Sequence, residues 1–435
     1  MRKGCGRLEA RVKVLKVLGW LGMAALILWI VTSCTQLGLN YASLETANKD
    51  APEPEIAAQT LAEWEAGREA LKARFEDVLY GPWPEGLPVS LVSTRVADPN
   101  YAGGRARLEE LLIRVGEGEG AVDFYLGLAV PKHAAPGSLG LVIGQTFSSN
   151  CSVFRSTAMN TPGGVPCEDT EMPWLAEYIF GEYIAEVPVE AYFDAGYAYA
   201  SYYASDMVPD RSTSGPEVMA GLIMPDGRTP SGTLMAWAYG YSAVIDLLAD
   251  EDWLDEDRIA VFGHSRHGKS ALLAGIWDRR IDLVISHQSG FGGAALSRSR
   301  AGERLDRVQK SYPQWFQPDL GDYADRPHEL PVDQHELLAL LAPTPVFIGN
   351  GRRDVWSDPN STFRAAEAAS RIYALYGETG LGVREMTEYE PSDGLAYYLR
   401  PGGHGTDKRD IAAFVEFLEA QGDAGASHRH VMADD

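Results

Sequence analysis

The chain has 435 residues, 45% of them hydrophobic, and a formal net charge of -23. That length accommodates one large α/β domain or two ordinary ones, with enough apolar residues for a substantial core. The acidity excludes a nucleic-acid-binding face, which needs clustered cations for phosphates, and otherwise means a soluble, self-repelling surface.

Residues 1–16 carry Arg2, Lys3, Arg7, Arg11, Lys13 and Lys16 against Glu9 alone. The uncharged run VLGWLGMAALILWIVTS (17–33) follows and ends at Cys34. A basic start before an apolar stretch is the layout of an export signal, and the run is at the short limit for a spanning helix. VTSC (31–34) resembles a lipobox, with valine at its first position. A cleaved signal with lipidated Cys34, an uncleaved anchor and an ordinary signal peptide all remain open for residues 1–34. Each exports the rest to the periplasm or the cell surface, and the first two hold it to a membrane. Residues 35–58, with APEPE, read as a linker, and 59–79 have helical apolar spacing. Three alternating segments between 90 and 130 read as β-hairpins. Residues 148–190, rich in Ser, Thr, Gly and Pro, read as a surface insertion. Cys151 and Cys167 are the only cysteines of the exported part, and an oxidising compartment permits a disulfide between them. No C-x-x-C or His-rich cluster calls for a zinc site, so no metal is expected.

From residue 139 short apolar runs alternate with helical patterns. The runs are LGLVIGQTF, GYAYASYYA (196–204), RIAVFGHS (258–265), LVISHQS (283–289), TPVFIGNG (344–351) and LAYYLRP (395–401). Helical patterns cover 231–250, 270–280, 361–377 and 408–422. The alternation predicts an α/β domain over 59–422 with a mostly parallel central sheet and helices on both faces. Residues 423–435 read as a disordered tail.

GHSRHGKS (263–270) fits two patterns. As G-x-x-x-x-G-K-S it is a phosphate loop. That reading fails on its surroundings: buried strands precede it, no apolar run ends directly in Asp-Glu or Asp-Asp to hold magnesium, and its interior His-Ser-Arg-His is bulky. No nucleotide and no organic cofactor are therefore expected. As strand–Gly-x-Ser-x-x-Gly–helix it is a nucleophile elbow with Ser265 at its tip. A serine needs a histidine to take its proton and a carboxylate to orient that histidine, in the order Ser, acid, His for this fold. Asp354 follows TPVFIGNGRR and His404 follows LAYYLRPGG. Each candidate lies just past the carboxyl end of a buried strand, where ligands bind in open parallel sheets. His264 and His267 adjoin the serine on a tight turn, too close in sequence to face it, and read as structural.

From 258 to 421 the chain resembles the glucuronoyl esterases, carbohydrate esterases with an α/β-hydrolase fold, and above all their bacterial members. GHSRHGKSAL is similar to the family's G-C-S-R-x-G-K elbow, with His264 in place of the cysteine. SGFGGAALSR (289–298), LPVDQHELLALLAPTPV (330–346), DVWSDP (354–359) and YYLRPGGH (397–404) resemble bacterial members, and LYGPWP and AWAYG resemble further landmarks. The resemblance implies hydrolysis of the ester joining 4-O-methyl-glucuronate of xylan to an alcohol such as a lignin alcohol. It implies Ser265 as nucleophile, His404 as acid/base, Arg266 at the oxyanion, and Lys269, Glu303 and Trp356 as sugar contacts. Many members carry the triad acid as glutamate just before Ser-Gly-x-Gly-Gly, where this chain has Gln288. The expected acid is therefore Asp354, with Asp358 as its rival. The loop QTFSSNCSVF also departs from the family pattern. An esterase of the same fold acting on an acetyl or aryl ester, and a non-catalytic membrane-tethered glycan binder, are the alternatives.

Overall fold

A computed structural model describes residues 51–161 and 180–432, together with 16, 19–25, 48 and 167. Cys34 and most of the basic and apolar N-terminal segment lie outside the described residues. No helix among the described residues is long and apolar enough to cross a membrane.

The chain opens with α1 (Leu61–Phe75), whose N-terminus is closed by a reciprocal capping box between Thr60 and Glu63. Strands β1 (Val89–Tyr101), β2 (Ala106–Val115) and β3 (Val122–Pro131) then form an antiparallel meander. β4 (Leu139–Thr146) and β5 (Tyr197–Tyr203) follow, then helix α2 (Thr233–Leu248) and β6 (Leu254–His264). Helix α3 (Arg266–Trp277), β7 (Leu283–His287), α4 (Gln334–Leu340), β8 (Val346–Gly351), α5 (Pro359–Leu375), β9 (Leu395–Arg400) and α6 (Lys408–Met432) complete the order. One nine-stranded sheet results, in the order β1-β2-β3-β5-β4-β6-β7-β8-β9. From β5 to β9 every neighbouring pair is parallel. This is the mostly parallel sheet with helices on both faces read from the alternation, and the α/β-hydrolase fold that the family resemblance implies.

The apolar runs are continuous because both faces of the sheet are covered. Leu141, Ile143, Ile259 and Val261 enter one core with α2 and α3, while Val142, Ala260 and Phe262 enter another beneath α6. Phe414 of α6 packs edge-on against Phe347 and lies 5.2 Å from the Phe262 ring. Each such buried aromatic contributes about 1.5–3 kcal/mol of transfer free energy.

Two segments differ from their sequence reading. The end of the stretch expected as a linker, from Ala51 to Ala58, is docked on the domain. Arg364 donates to the carbonyl of Pro52, and His335 bonds the carbonyl of Glu55 at 3.0 Å. Upstream, the buried side chain of Asn48 reaches Asp358. Helix α6 also runs to Met432, through residues expected as a disordered tail. Inside the 148–190 insertion, Cys151 and Cys167 form the anticipated disulfide, and Cys151, Val153, Phe154 and Met159 are buried against the sheet.

Candidate functional site

The site gathers at the carboxyl ends of β4 to β9. At the end of β6 the chain turns through Ser265, whose φ of 57° and ψ of -123° are costly for a residue with a side chain. The turn closes only over glycines: a Cβ on Gly263 would lie 2.0 Å from the His267 carbonyl oxygen, and one on Gly268 3.0 Å from that of Gly263. Ser265 N–H donates to the His287 carbonyl at 2.8 Å, tying the turn to β7. Gly268 N–H donates to the Ser265 carbonyl at 2.9 Å, which leaves the amides of Arg266 and His267 at the positive dipole end of α3.

His404 sits on the loop after β9, almost fully buried, and its Nδ1 is 2.7 Å from Oδ2 of Asp354. Asp354 is wholly buried after β8 and also accepts from Ser357 Oγ at 2.5 Å and from the amides of Trp356 and Ser357 at 3.2 Å. Burial alone would raise its carboxyl, but the His404 charge and these hydrogen bonds outweigh that and hold it below the usual carboxylate range. With Nδ1–H given to Asp354, Nε2 of His404 is left to accept a proton. No hydrogen bond to Ser265 Oγ forms among the described residues, and such bonds tighten with substrate present. Asp358, the rival acid, is elsewhere. It caps α5 by accepting from Ser361 N–H and binds Ser299 and Asn48.

Beneath His404 lies a row of imidazoles. The His264 ring is 4.6 Å from that of His404, and its Nδ1 is 2.9 Å from Nδ1 of His287. Asp410, held by Arg400 through two 2.7 Å bonds, faces His287 Nε2 at 3.2 Å. The two Nδ1 atoms share one hydrogen bond, so one ring donates and the other accepts. His264 Nε2 and His287 Nε2 are buried and have no hydrogen-bond partner among the described residues. Burial, followed by the charges of His404 and His287, pushes His264 far below the usual imidazole range and keeps it neutral. His267, buried between Phe147 and Trp237, is likewise held neutral.

On the other side of Ser265, the Arg266 guanidinium pairs with Asp210 and lies over the rings of Trp315 (4.8 Å), Tyr312 (5.2 Å) and Phe147 (5.7 Å). Asp210 also accepts from Gln314 Nε2 and Trp315 Nε1, both at 2.7 Å. The Nε of Arg266 is buried and has no hydrogen-bond partner among the described residues. A cavity of about 510 Å³ opens here, lined by Phe147, Tyr203, Ser205, Arg211, Arg266 and His267. Sequence reasoning missed Asp210, Tyr312 and Trp315, since nothing in VPD or SYPQW marks a residue folded against the elbow.

Of the expected sugar contacts, Trp356 stands 53% exposed with its ring 5.9 Å from that of His404. Lys269 is different. Its ammonium is fully buried and gives its donors to Ser289 O (2.5 Å), Phe291 O (2.7 Å) and Glu303 Oε2 (2.6 Å). An ammonium has three donors, so Lys269 would have to release one to reach a sugar hydroxyl. Burial draws its pKa down, and Glu303 opposes that. Glu303, partly exposed, keeps its other oxygen free of the lysine.

Comparison with known proteins follows the same lines. The family model described as glucuronyl esterase, fungi, matches residues 169–377. A carbohydrate esterase from an unknown prokaryotic organism is 31% identical over 410 residues, covering 89% of this chain and 93% of its own. The 4-O-methyl-glucuronoyl methylesterase 1 of Phanerochaete chrysosporium is 33% identical over 257 residues, 57% of this chain and 52% of its own. Among solved structures, a promiscuous esterase of carbohydrate esterase family 15 from a marine bacterial metagenome superposes with a TM-score of 0.72 at 29% identity, covering 88% of this chain and 100% of that one. The glucuronoyl esterase from Solibacter usitatus gives 0.72 at 27% identity, covering 86% and 99%.

Proposed function

This chain belongs to carbohydrate esterase family 15, the glucuronoyl esterases, and is a carboxylic ester hydrolase; we propose that it cleaves the ester between 4-O-methyl-glucuronate of xylan and a lignin-type alcohol through Ser265, His404 and Asp354. The observation that carries the triad is the 2.7 Å contact of His404 with a buried, ionised Asp354 at neighbouring strand ends. Ser265 Oγ attacks the ester carbonyl while His404 Nε2 takes its proton. Asp354 stabilises the imidazolium that forms. The carbonyl oxygen becomes an oxyanion, which Arg266 and the first amides of α3 neutralise. Collapse expels the alcohol, which takes the proton from His404, and water then releases the uronate from Ser265 by the same steps. Trp356 and Glu303 contact the sugar, and Lys269 holds Glu303 and the 289–291 turn in place.

The test is turnover of benzyl glucuronate beside p-nitrophenyl acetate. Preference for the glucuronate ester supports the reading, and preference for the acetate replaces it with a general esterase. We further propose that the enzyme works outside the cytoplasm, held by its N-terminal segment. Mass spectrometry of the mature N-terminus tests this: acylated Cys34 or an intact Met1 in membranes supports it, and unmodified cytosolic protein refutes it.

A further inference from the structure

Besides Arg400, two buried polar side chains hold the His404 loop, and only one is a carboxylate. Asp354 touches the imidazole. Gln288 touches the main chain on either side of it: Nε2 donates to the Gly403 carbonyl at 3.1 Å, and Oε1 accepts from Gly405 N–H at 2.7 Å. Gln288 is itself fixed. Its N–H donates to the Gly349 carbonyl at 2.8 Å, and its carbonyl accepts from Ser357 Oγ at 2.9 Å. It is 1% exposed and sits at φ 51°, a left-handed conformation that persists only where surrounding bonds over-determine it. The peptide of Gly405 is gripped from its other end by Arg400, which donates to its carbonyl.

We propose that Gln288 is a positioning residue for the reaction. Its carboxamide holds both main-chain neighbours of His404, so that the imidazole keeps the orientation in which Nδ1 meets Asp354 and Nε2 meets the serine. The inference rests on His404 being the base. The task needs a donor and an acceptor on one planar head. An amide supplies both, whereas an ionised carboxylate has only acceptors and would confront the Gly403 carbonyl. The charged and titratable groups around it are Asp354 after β8, His404 and Arg400 from β9 and its loop, Asp410 on α6, and His287 and His264 at the ends of β7 and β6.

A protonated carboxyl is the isostere of the amide, so Q288E tests the claim with Q288A beside it. The introduced acid restores both bonds when protonated and loses one on ionising, so its benefit is present at low pH and lost as pH rises. Burial near Asp354 lifts its titration above the ordinary glutamate value of about 4.3. At pH 8 both variants should lose about 10–100-fold in kcat, with KM changed by less than about twofold, since binding is untouched. Relative to wild type at each pH, the Q288E deficit should shrink towards pH 5 while that of Q288A stays constant. Wild-type kcat in Q288A, or a Q288E deficit independent of pH, overturns the proposal. If Q288A does not fold, the pH trend of Q288E decides alone. H404A is run alongside: if it is inactive while Q288A is normal, only this inference fails, and if it is active, the triad reading fails.

Discussion

On the β8–β9 side of Ser265, His404 is held by directional hydrogen bonds, one from its ring to Asp354 and two between its backbone neighbours and Gln288. On the β5 side, Arg266 is held by one ion pair and a stack of aromatic faces. The contrast follows from the role proposed for each group. A base passes a proton along a line, and its competence depends on angle as well as distance. An oxyanion partner supplies charge, which falls off slowly with distance, so a cage that fixes position suffices.

Substitutions sharpen or break this contrast. The largest effects belong to the line of proton transfer. Ser265→Ala and His404→Ala should each reduce kcat by about 10³-fold or more, with circular dichroism unchanged, because triad members act as a unit. Asp354→Ala should cost about 10²–10⁴-fold, far more than Asp358→Ala, which loses a helix cap and shows chiefly in thermal melting. Equal kinetic losses at the two aspartates would undo the assignment of the acid. On the charge side, Asp210→Ala should lower kcat by about 10-fold, less than the 10²–10³ typical of a lost oxyanion donor, because the rings still hold the guanidinium. A loss as large as that of Asp354→Ala would mean that Arg266 needs its line as strictly as the histidine does.

The smallest expected effect contrasts two carboxyls of opposite sign. Asp354 is held below its ordinary range, so the stability it contributes is present above the unfolded value of about 3.9 and lost on acidification. Asp206, in the short helix Ala204–Met207 after β5, is pushed by burial up to about 7. Its native form binds a proton that the unfolded form releases, so stability falls as pH rises from about 4 to 7. Asp206→Asn should therefore raise the melting temperature at pH 8 by about 2–4 °C, with the gain vanishing near pH 4. A gain independent of pH would point to packing instead of charge.

The base side was legible in the sequence because each of its parts ends a buried strand. Ser265, Asp354 and His404 each sit just past an apolar run, and strand ends in a parallel sheet converge by geometry alone. The charge side was not. Asp210 meets Arg266 across 56 residues, and Trp315 arrives on a loop between β7 and α4 that carries no periodic pattern. Gln288 was legible only as the lack of an acid, since its partners are main-chain atoms of glycines. The docking of residues 51–58 was hidden for the same reason: arginines on α5 and His335 on α4 bind backbone carbonyls, which every composition contains. Lys269 looked like a sugar contact by its place in the motif, and only the folded 289–291 turn reveals that its donors are already taken.

The bond between Asn48 and Asp358 joins residues 310 positions apart. During synthesis at about 5–20 residues per second, Asn48 leaves the ribosome roughly 15–60 s before its partner exists. For that interval the segment lacks its partners on α5, although Ser299 and Arg300, which donate to Asn48, and His335, which binds Glu55, are made before Asp358. The stretch carrying Asp354 and His404 is made after the elbow and must then find both the strap and the elbow. Until it does, Ser265 has neither of the partners proposed for it.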